Sequence, residues 1–160
     1  MGAQRMSDFT LLGFAARLGE MVVEVEIEKR AALARAAALV QNKARALIGE
    51  DENPSAGPYA AWPALAPRTQ QEKTRLGYVG TVSDFDSELR TGELRDSIQT
   101  EVAEDLAVVG SAEENAVAQE EGDPAKNRPP RSIFGAAGFT MADRVADELG
   151  LGVMQKVFSH

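Results

Sequence analysis

Cysteine is missing from this chain of 160 residues, its single histidine is the terminal His160, and aromatic residues make up only 6%. Without cysteine the protein can form neither disulfides nor thiolate metal sites. Without a histidine held inside the fold, the usual nucleophile–base pairs of hydrolytic enzymes are missing too. We therefore expect no catalytic residues, no metal and no cofactor. The core must be built mainly from Leu, Val, Ile and Ala.

Long hydrophobic runs are also absent. No stretch of about 18 apolar residues occurs, so we expect no membrane-spanning segment. The N-terminus does not combine a basic stretch with an apolar run, so we expect no secretory signal. With 160 residues and 44% hydrophobic content, the chain has the size and composition of one globular domain. The expected location is the cytoplasm or the inside of a virion.

Basic residues are scarce, because the formal net charge is −8 and the sequence pI is near 4.7. Such a chain is not expected to wrap duplex DNA by neutralising its phosphates. The segment 99–123, the acidic stretch, has no Lys or Arg but eight acidic residues: Glu101, Glu104, Asp105, Glu113, Glu114, Glu120, Glu121 and Asp123. Lys126, Arg128 and Arg131 follow at once. Three interpretations stay open: a solvated face, a channel wall that repels DNA, or a surface that meets a basic partner.

A long helix is predicted over residues 8–49. Apolar residues recur there at three- and four-residue spacing, as one face of a helix requires: Leu11, Ala15, Leu18, Val22, Val25, Leu33, Ala37, Val40, Ala44 and Leu47. Unbroken, this helix would be roughly 60 Å long at about 1.5 Å per residue. A compact domain of this size has a radius of gyration of about 15 Å. The helix must therefore break near Gly13 or Gly19, or project beyond its domain toward a partner.

The rest of the chain is predicted to be a single α+β domain. A β-hairpin is expected from the alternation in Ile98–Val102 and Leu106–Val109, and a short helix from Ala112–Glu121, closed by Gly122. The predicted fold has a long N-terminal helix, a small antiparallel β-sheet with this hairpin, short helices, and a C-terminal helix packed on the sheet. Residues 54–67 form a connection and residues 68–135 an α+β core. Residues 136–158 form C-terminal helices that are interrupted at Gly150 and Gly152.

Three segments occur in a fixed order that points to a family. They are Trp62-Pro63-Ala64-Leu65 followed by Thr69 and Lys73; Arg90-Thr91-Gly92-Glu93-Leu94-Arg95-Asp96-Ser97-Ile98; and Val109-Gly110-Ser111 with Ala118-Gln119-Glu120-Glu121-Gly122 and Pro129-Pro130-Arg131-Ser132-Ile133-Phe134. This order resembles that of the phage tail-completion family, also described as virion-morphogenesis or head–tail connector (neck) proteins. The resemblance covers about residues 59–135. The segment between Gly122 and Pro129 is longer and more charged than the simplest family pattern.

The resemblance implies a structural subunit of the head–tail junction of a tailed bacteriophage. Such a subunit forms a homo-oligomeric ring, for example a hexamer, that joins the portal connector to the tail tube and lets DNA pass without sequence-specific binding. Its neighbours would be portal or adaptor proteins and tail-tube or tail-terminator proteins. It would be assembled in the bacterial host cytoplasm and reside in the virion.

The candidate interface or structural residues are Trp62, Leu65, Thr91, Gly92, Leu94, Ser97, Gly110, Glu120, Gly122, Lys126, Arg128, Pro130, Arg131 and Phe134. Trp62 suits either a core anchor or an interface residue. Arg131 suits an intrachain salt bridge or a contact with a neighbouring subunit or DNA. We interpret Gly110 as permitting a close backbone approach at a strand end. The acidic stretch and the basic segment 126–131 could be the two complementary patches that a closed ring requires.

Two alternatives to a completion protein remain. Within the same class, a tail-terminator or head-closure ring would carry similar features. From a different class, a helical binding or regulatory module would act through residues 8–49. An enzyme would have to rely on carboxylates alone.

Overall fold

The computed structural model of the protein describes residues 11–48, 54–63, 67–75 and 93–158. Its helices are α1 (Leu11–Leu47), α2 (Pro67–Arg75), α3 (Glu93–Ser97), α4 (Glu114–Glu121) and α5 (Phe134–Phe158), with a short 3₁₀ helix at Pro124–Lys126. Two strands, β1 (Gln99–Val102) and β2 (Ala107–Gly110), form the sheet. The predicted α+β class is confirmed.

Helix α1 runs without interruption through both Gly13 and Gly19. A helical glycine costs about 1 kcal/mol relative to alanine, and the flanking Leu, Ala and Met residues are good helix formers. Of the two predicted possibilities, a broken helix or a projecting one, the structure has the projecting one. Residues 11–20 are all exposed, whereas buried positions begin at Ala32. The first part of α1 therefore extends beyond the domain core.

The predicted hairpin is confirmed as an antiparallel pair of strands. Gln99 lies opposite Gly110, and Val102 lies opposite Ala107. The turn is closed by a 2.7 Å hydrogen bond from the Ala103 N–H to the Leu106 carbonyl. Helix α1 holds both ends of the hairpin, because Lys29 pairs with Asp105 at the turn, and Gln41 and Arg45 donate to the Ile98 carbonyl before β1.

Helix α5 is continuous, so the predicted interruption at Gly150 and Gly152 is wrong. The helix runs antiparallel to α1: its first turns pack on Leu47 and Ile48, and farther along Glu148 accepts a 2.9 Å hydrogen bond from Arg35. Its main packing partner is α1, whereas the sequence predicted packing on the sheet. The hairpin also lies against α1. The hairpin and α5 therefore both pack on α1.

The core is small and lies at the junction of these elements. Its largest fully buried side chains, Ile48, Ile98 and Ile133, come from the end of α1, the start of β1 and the start of α5. Alanines fill much of the remainder, so the helices can approach closely. Partly buried Trp62 and Phe134 pack against this core.

Candidate functional site

The carboxylate of Glu120 caps the N-terminus of α5. Its Oε2 accepts the backbone N–H groups of Ile133 at 2.6 Å and Phe134 at 2.9 Å, and its Oε1 accepts that of Gly135 at 2.8 Å. These are the donors that the first turn of a helix leaves without partners. A negative charge there also opposes the positive end of the helix dipole. Glu120 thus joins the end of α4 to the start of α5.

Ser132 completes this cap from within the α5 segment itself. Its hydroxyl donates to Glu120 Oε1 at 2.6 Å and accepts the Ala136 N–H at 3.3 Å. With this bond the Glu120 carboxylate accepts four hydrogen bonds, which matches the acceptor capacity of its two oxygens. The carboxylate is therefore occupied in holding the helix and is not free to act as a general base.

Arg131 and Trp62 form the outer part of the same arrangement. Arg131 is 8% exposed, and its Nη2 donates to the Pro63 carbonyl at 3.0 Å. Its guanidinium carbon lies 5.9 Å from the centroid of the Trp62 ring, within cation–π range. The Trp62 indole N–H donates to the Ser132 carbonyl at 3.2 Å. Both residues thus make intrachain contacts, Trp62 with Ser132 and Arg131 with Pro63.

Gly122 and Pro130 shape the loop that returns the chain from α4 to α5. Gly122 has φ 80° and ψ 175°, a conformation almost restricted to glycine. A Cβ there would lie 2.9 Å from the Arg128 carbonyl oxygen and 2.9 Å from the Pro130 nitrogen. The loop is therefore packed tightly against the end of α4, and only glycine fits at its start.

Asp123 organises the middle of this loop. Its Oδ1 accepts the N–H groups of Ala125 at 3.1 Å and Lys126 at 3.3 Å, and its Oδ2 lies 3.3 Å from the Lys126 ammonium. The Lys126 side-chain hydrogen bond, together with the two backbone donors, lowers the pKa of Asp123. Asn127 follows in the left-handed region with φ 53°.

A second group of candidate residues lies at the start of the hairpin. Leu94 is buried in the core, and the Ser97 hydroxyl donates to the Leu94 carbonyl at 2.8 Å and lies 2.6 Å from the Ser111 hydroxyl. The close approach predicted at Gly110 is wrong, since a Cβ placed there would meet nothing within 4 Å. Leu65, Thr91 and Gly92 lie outside the described residues.

The residues within each charged segment differ in their burial and in their contacts. In the basic segment, Lys126 and Arg128 are exposed while Arg131 is buried, so the three do not form one patch. In the acidic stretch, Glu120 and Asp123 serve as caps, and Asp105 pairs with Lys29, whose pKa is raised by this bond. The acidic residues left at the surface are Glu101, Glu104, Glu113, Glu114 and Glu121.

The structure thus gathers six of the candidate residues into one cluster, which we call the α5 cap cluster: Trp62, Glu120, Gly122, Pro130, Arg131 and Phe134. Ser132 is not among the candidate residues predicted from the sequence, although a serine just before an apolar helical segment is a recognised capping signal. The cluster has the properties of a rigid support: saturated hydrogen bonds, a buried guanidinium and a glycine-restricted turn.

No protein-family model, curated protein or solved structure matches this sequence at a significant level. Within the described ranges, no helix is long and apolar enough to cross a membrane. In the same ranges, no three His, Cys, Asp or Glu side chains come together in a way that could hold a metal ion.

Proposed function

We propose that this protein is a structural subunit of the head–tail junction of a tailed phage, of the tail-completion type. It acts in a ring of like subunits that joins the portal connector to the tail tube and leaves a central passage for DNA. Its chemistry is the formation of interfaces, and it makes or breaks no covalent bond.

The observation that carries the proposal is the α5 cap cluster. The resemblance to the neck family rests on short motifs that are far apart in the chain, around Trp62, Glu120 and Arg131. These motifs are joined by direct hydrogen bonds in one unit, in which Trp62 contacts Ser132 and Glu120 caps α5. A set of motifs that together build one support has a physical reason to occur in a fixed order.

The projecting part of α1 is the second support. Leu11, Leu12 and Val22 are between 63% and 85% exposed, and large exposed apolar surfaces generally mark contacts with other proteins. A subunit of a permanent assembly needs such surfaces.

The exposed charges suit this role in two ways. Lys126 and Arg128 could meet the surface acidic residues of a neighbouring subunit across a head-to-tail contact. Alternatively the acidic residues line the passage, where they keep DNA from sticking. Raising the salt concentration separates the two, because screening weakens ion pairing between subunits but leaves an assembly with an acidic lumen largely unchanged.

Removal of the gene from its phage is the direct test. Particles made without the protein should accumulate as separate DNA-filled heads and tails, and supplying the wild-type chain should rejoin them. The purified chain mixed with its cognate connector or tail-tube subunit should show a ring in native mass spectrometry. Intact infectious particles in the absence of the protein would contradict the proposal.

The same experiment distinguishes the alternatives. A tail-terminator would leave tails of irregular length, and a head-closure protein would leave heads that lose their DNA. A helical binding module would lose its partner on deletion of residues 8–49, without any defect in particle assembly.

A further inference from the structure

Helix α2 has no extensive packing partner within the described part of the chain. Its nine residues include no Ala, Val, Leu, Ile, Met or aromatic side chain, and no other described helix or strand packs along it. A helix that is polar on all sides has no apolar face to bury, and isolated helices shorter than about 12–15 residues are marginal in water. Helix α2 therefore gains little stability from its own domain, and a partner that contacts it would stabilise it.

The charge of α2 is opposite to that of the whole chain. Helix α2 contains three basic residues and one acidic residue, whereas the chain has a net charge of −8. Arg68 and Arg75 are two helical turns apart, so they lie on one side of α2, about 10.5 Å from each other along its axis. Gln71 lies beside them. All three side chains are exposed, and we call them the basic face of α2.

Helix α4 presents the opposite charges at the same spacing. Glu114 and Glu121 are also two turns apart and exposed, and Val117 beside them is 63% exposed. We call these three residues the acidic face of α4. The buried Ala116 and Gln119 lie on the other side of the helix, so the acidic face points away from the core. No other described helix carries two exposed acidic residues at this spacing.

The charged side chains of these two faces have no partner within the chain as far as the structure describes it. None of the four forms an ion pair with a described residue. Helices α2 and α4 of one chain do not pack along each other. Because the two arginines and the two glutamates have the same separation, both ion pairs can form at once when the two faces meet.

We propose that the basic face of α2 binds the acidic face of α4 in a second copy of this chain. Charge favours this partner over DNA, because the acidic chain as a whole repels phosphates, while a second copy offers two carboxylates at the matching separation. The two surfaces differ, so the contact is head-to-tail and can repeat into a ring or an open chain. It is a property of the purified chain alone and does not depend on the proposed function.

The contact is expected to be weak when it acts alone. Exposed ion pairs contribute little individually, because water and salt screen them. We expect a dissociation constant on the order of a millimolar for one contact. Association becomes stronger only where several such contacts act together.

The first test is static light scattering of the full chain at concentrations up to about 1 mM, in about 0.1 M salt, where charges more than about 10 Å apart are largely screened. The apparent mass of the wild type should rise with concentration. Arg68→Glu with Arg75→Glu should abolish this rise. Adding Glu114→Arg with Glu121→Arg in the same chain should restore it, because the two faces are then complementary again with their signs exchanged.

The matched control has the same net charge as this restored variant. It combines Arg68→Glu and Arg75→Glu with Glu101→Arg and Glu104→Arg, which are exposed but lie outside the acidic face of α4, and it should not associate. Far-UV circular dichroism checks that every variant is folded. A wild type whose apparent mass stays constant, or a control that associates as well as the restored variant, would overturn the proposal.

The second test needs no change of charge and uses the absence of natural cysteine. Chains carrying Gln71→Cys are mixed with chains carrying Val117→Cys and are oxidised. If the two faces meet, disulfides between the two kinds of chain should form faster than disulfides between identical chains. Equal rates for all three products would contradict the proposal.

A labelled DNA duplex tests the other partner that a basic helix could have. Fluorescence anisotropy should show no binding of the wild type in the same salt concentration. Binding that is lost in the variant with Arg68→Glu and Arg75→Glu would assign α2 to DNA and would overturn the proposed contact between copies.

Discussion

The Glu120 carboxylate accepts the backbone N–H of Phe134 at 2.9 Å, across thirteen intervening residues, and so fixes where α5 begins. Two further N–H groups and the Ser132 hydroxyl depend on the same carboxylate. Replacement by alanine leaves these partly buried donors without an acceptor. We expect Glu120→Ala to lower the free energy of unfolding by about 2–3 kcal/mol, as measured by urea denaturation.

The neighbouring Glu121 provides the matched control. It is exposed and lies in the same helical turn, so Glu121→Ala should change the free energy of unfolding by less than about 0.5 kcal/mol. Similar losses from both variants would show that the cap contributes nothing specific.

Arg131 and Trp62 allow an optical measurement, because Trp62 is the only tryptophan in the chain. Arg131→Ala removes the guanidinium from the indole face and leaves the Pro63 carbonyl without its donor. We expect a red-shifted emission in the folded state and a loss of about 2 kcal/mol in unfolding free energy. Exposed Arg128, changed to alanine, should leave the emission wavelength where it is.

Alanine substitution at Gly122 and at Gly138 should change the stability of the protein in opposite directions. Gly122→Ala forces a Cβ into a strained conformation and against the Arg128 carbonyl, and should destabilise the protein by about 1–3 kcal/mol. Gly138 lies within α5, where an added Cβ meets nothing within 4 Å. Gly138→Ala should therefore stabilise it by about 0.5–1 kcal/mol. Thermal unfolding of both variants measures the difference, and a shift of the same sign in both would contradict it.

Asp123 should make stability depend on acid pH. Because Lys126 and two backbone N–H groups lower its pKa in the folded state, its stabilising contribution is complete above the ordinary aspartate pKa of about 4. That contribution is lost as the pH falls below this value. Asparagine can still cap the 3₁₀ helix but does not titrate, so Asp123→Asn should flatten this part of the curve of unfolding free energy against pH. An unchanged acid slope would show that other carboxylates account for it.

In the basic segment, Lys126 and Arg128 are exposed and Arg131 is buried. The variant that tests ring assembly should therefore change only the two exposed residues. Lys126→Glu with Arg128→Glu should weaken the assembly while leaving the monomer folded, since both side chains are exposed. Arg131→Glu should instead unfold the monomer. Arg30→Glu with Arg144→Glu reverses the same charge at two other exposed positions and serves as the control. Equal assembly by both double variants, in native mass spectrometry, would rule out the proposed pairing.

The sequence predicted the elements whose signals are local. The alternation around Glu104 and Asp105 predicted the hairpin, and Gly122 correctly marked the end of α4. It failed where tertiary packing decides. Gly150 and Gly152 weaken α5 locally, yet the helix continues through them, because packing of its earlier turns on α1 stabilises the helix as a whole.

The α5 cap cluster could be predicted only in part. Trp62, Glu120 and Arg131 were selected by resemblance, but nothing in the sequence pairs Glu120 with the N–H groups of residues 133–135. Caps usually come from the residue next to the helix, and this one comes from the preceding helix. The burial of Arg131 could not be predicted either, because a proline-rich loop with three basic residues is typical of a solvated surface.

Helix α1 buries Ala32, Ala36 and Ala37 where its exposed first part ends, and the hairpin and α5 both pack against this helix. The exposed first part of α1 is therefore held by the domain only through the part of the helix that begins at these alanines. A partner bound to the exposed first part of α1 would therefore act on the domain through this packed region. A bulkier residue at Ala32 or Ala36 would change the direction of the exposed part without contacting the partner.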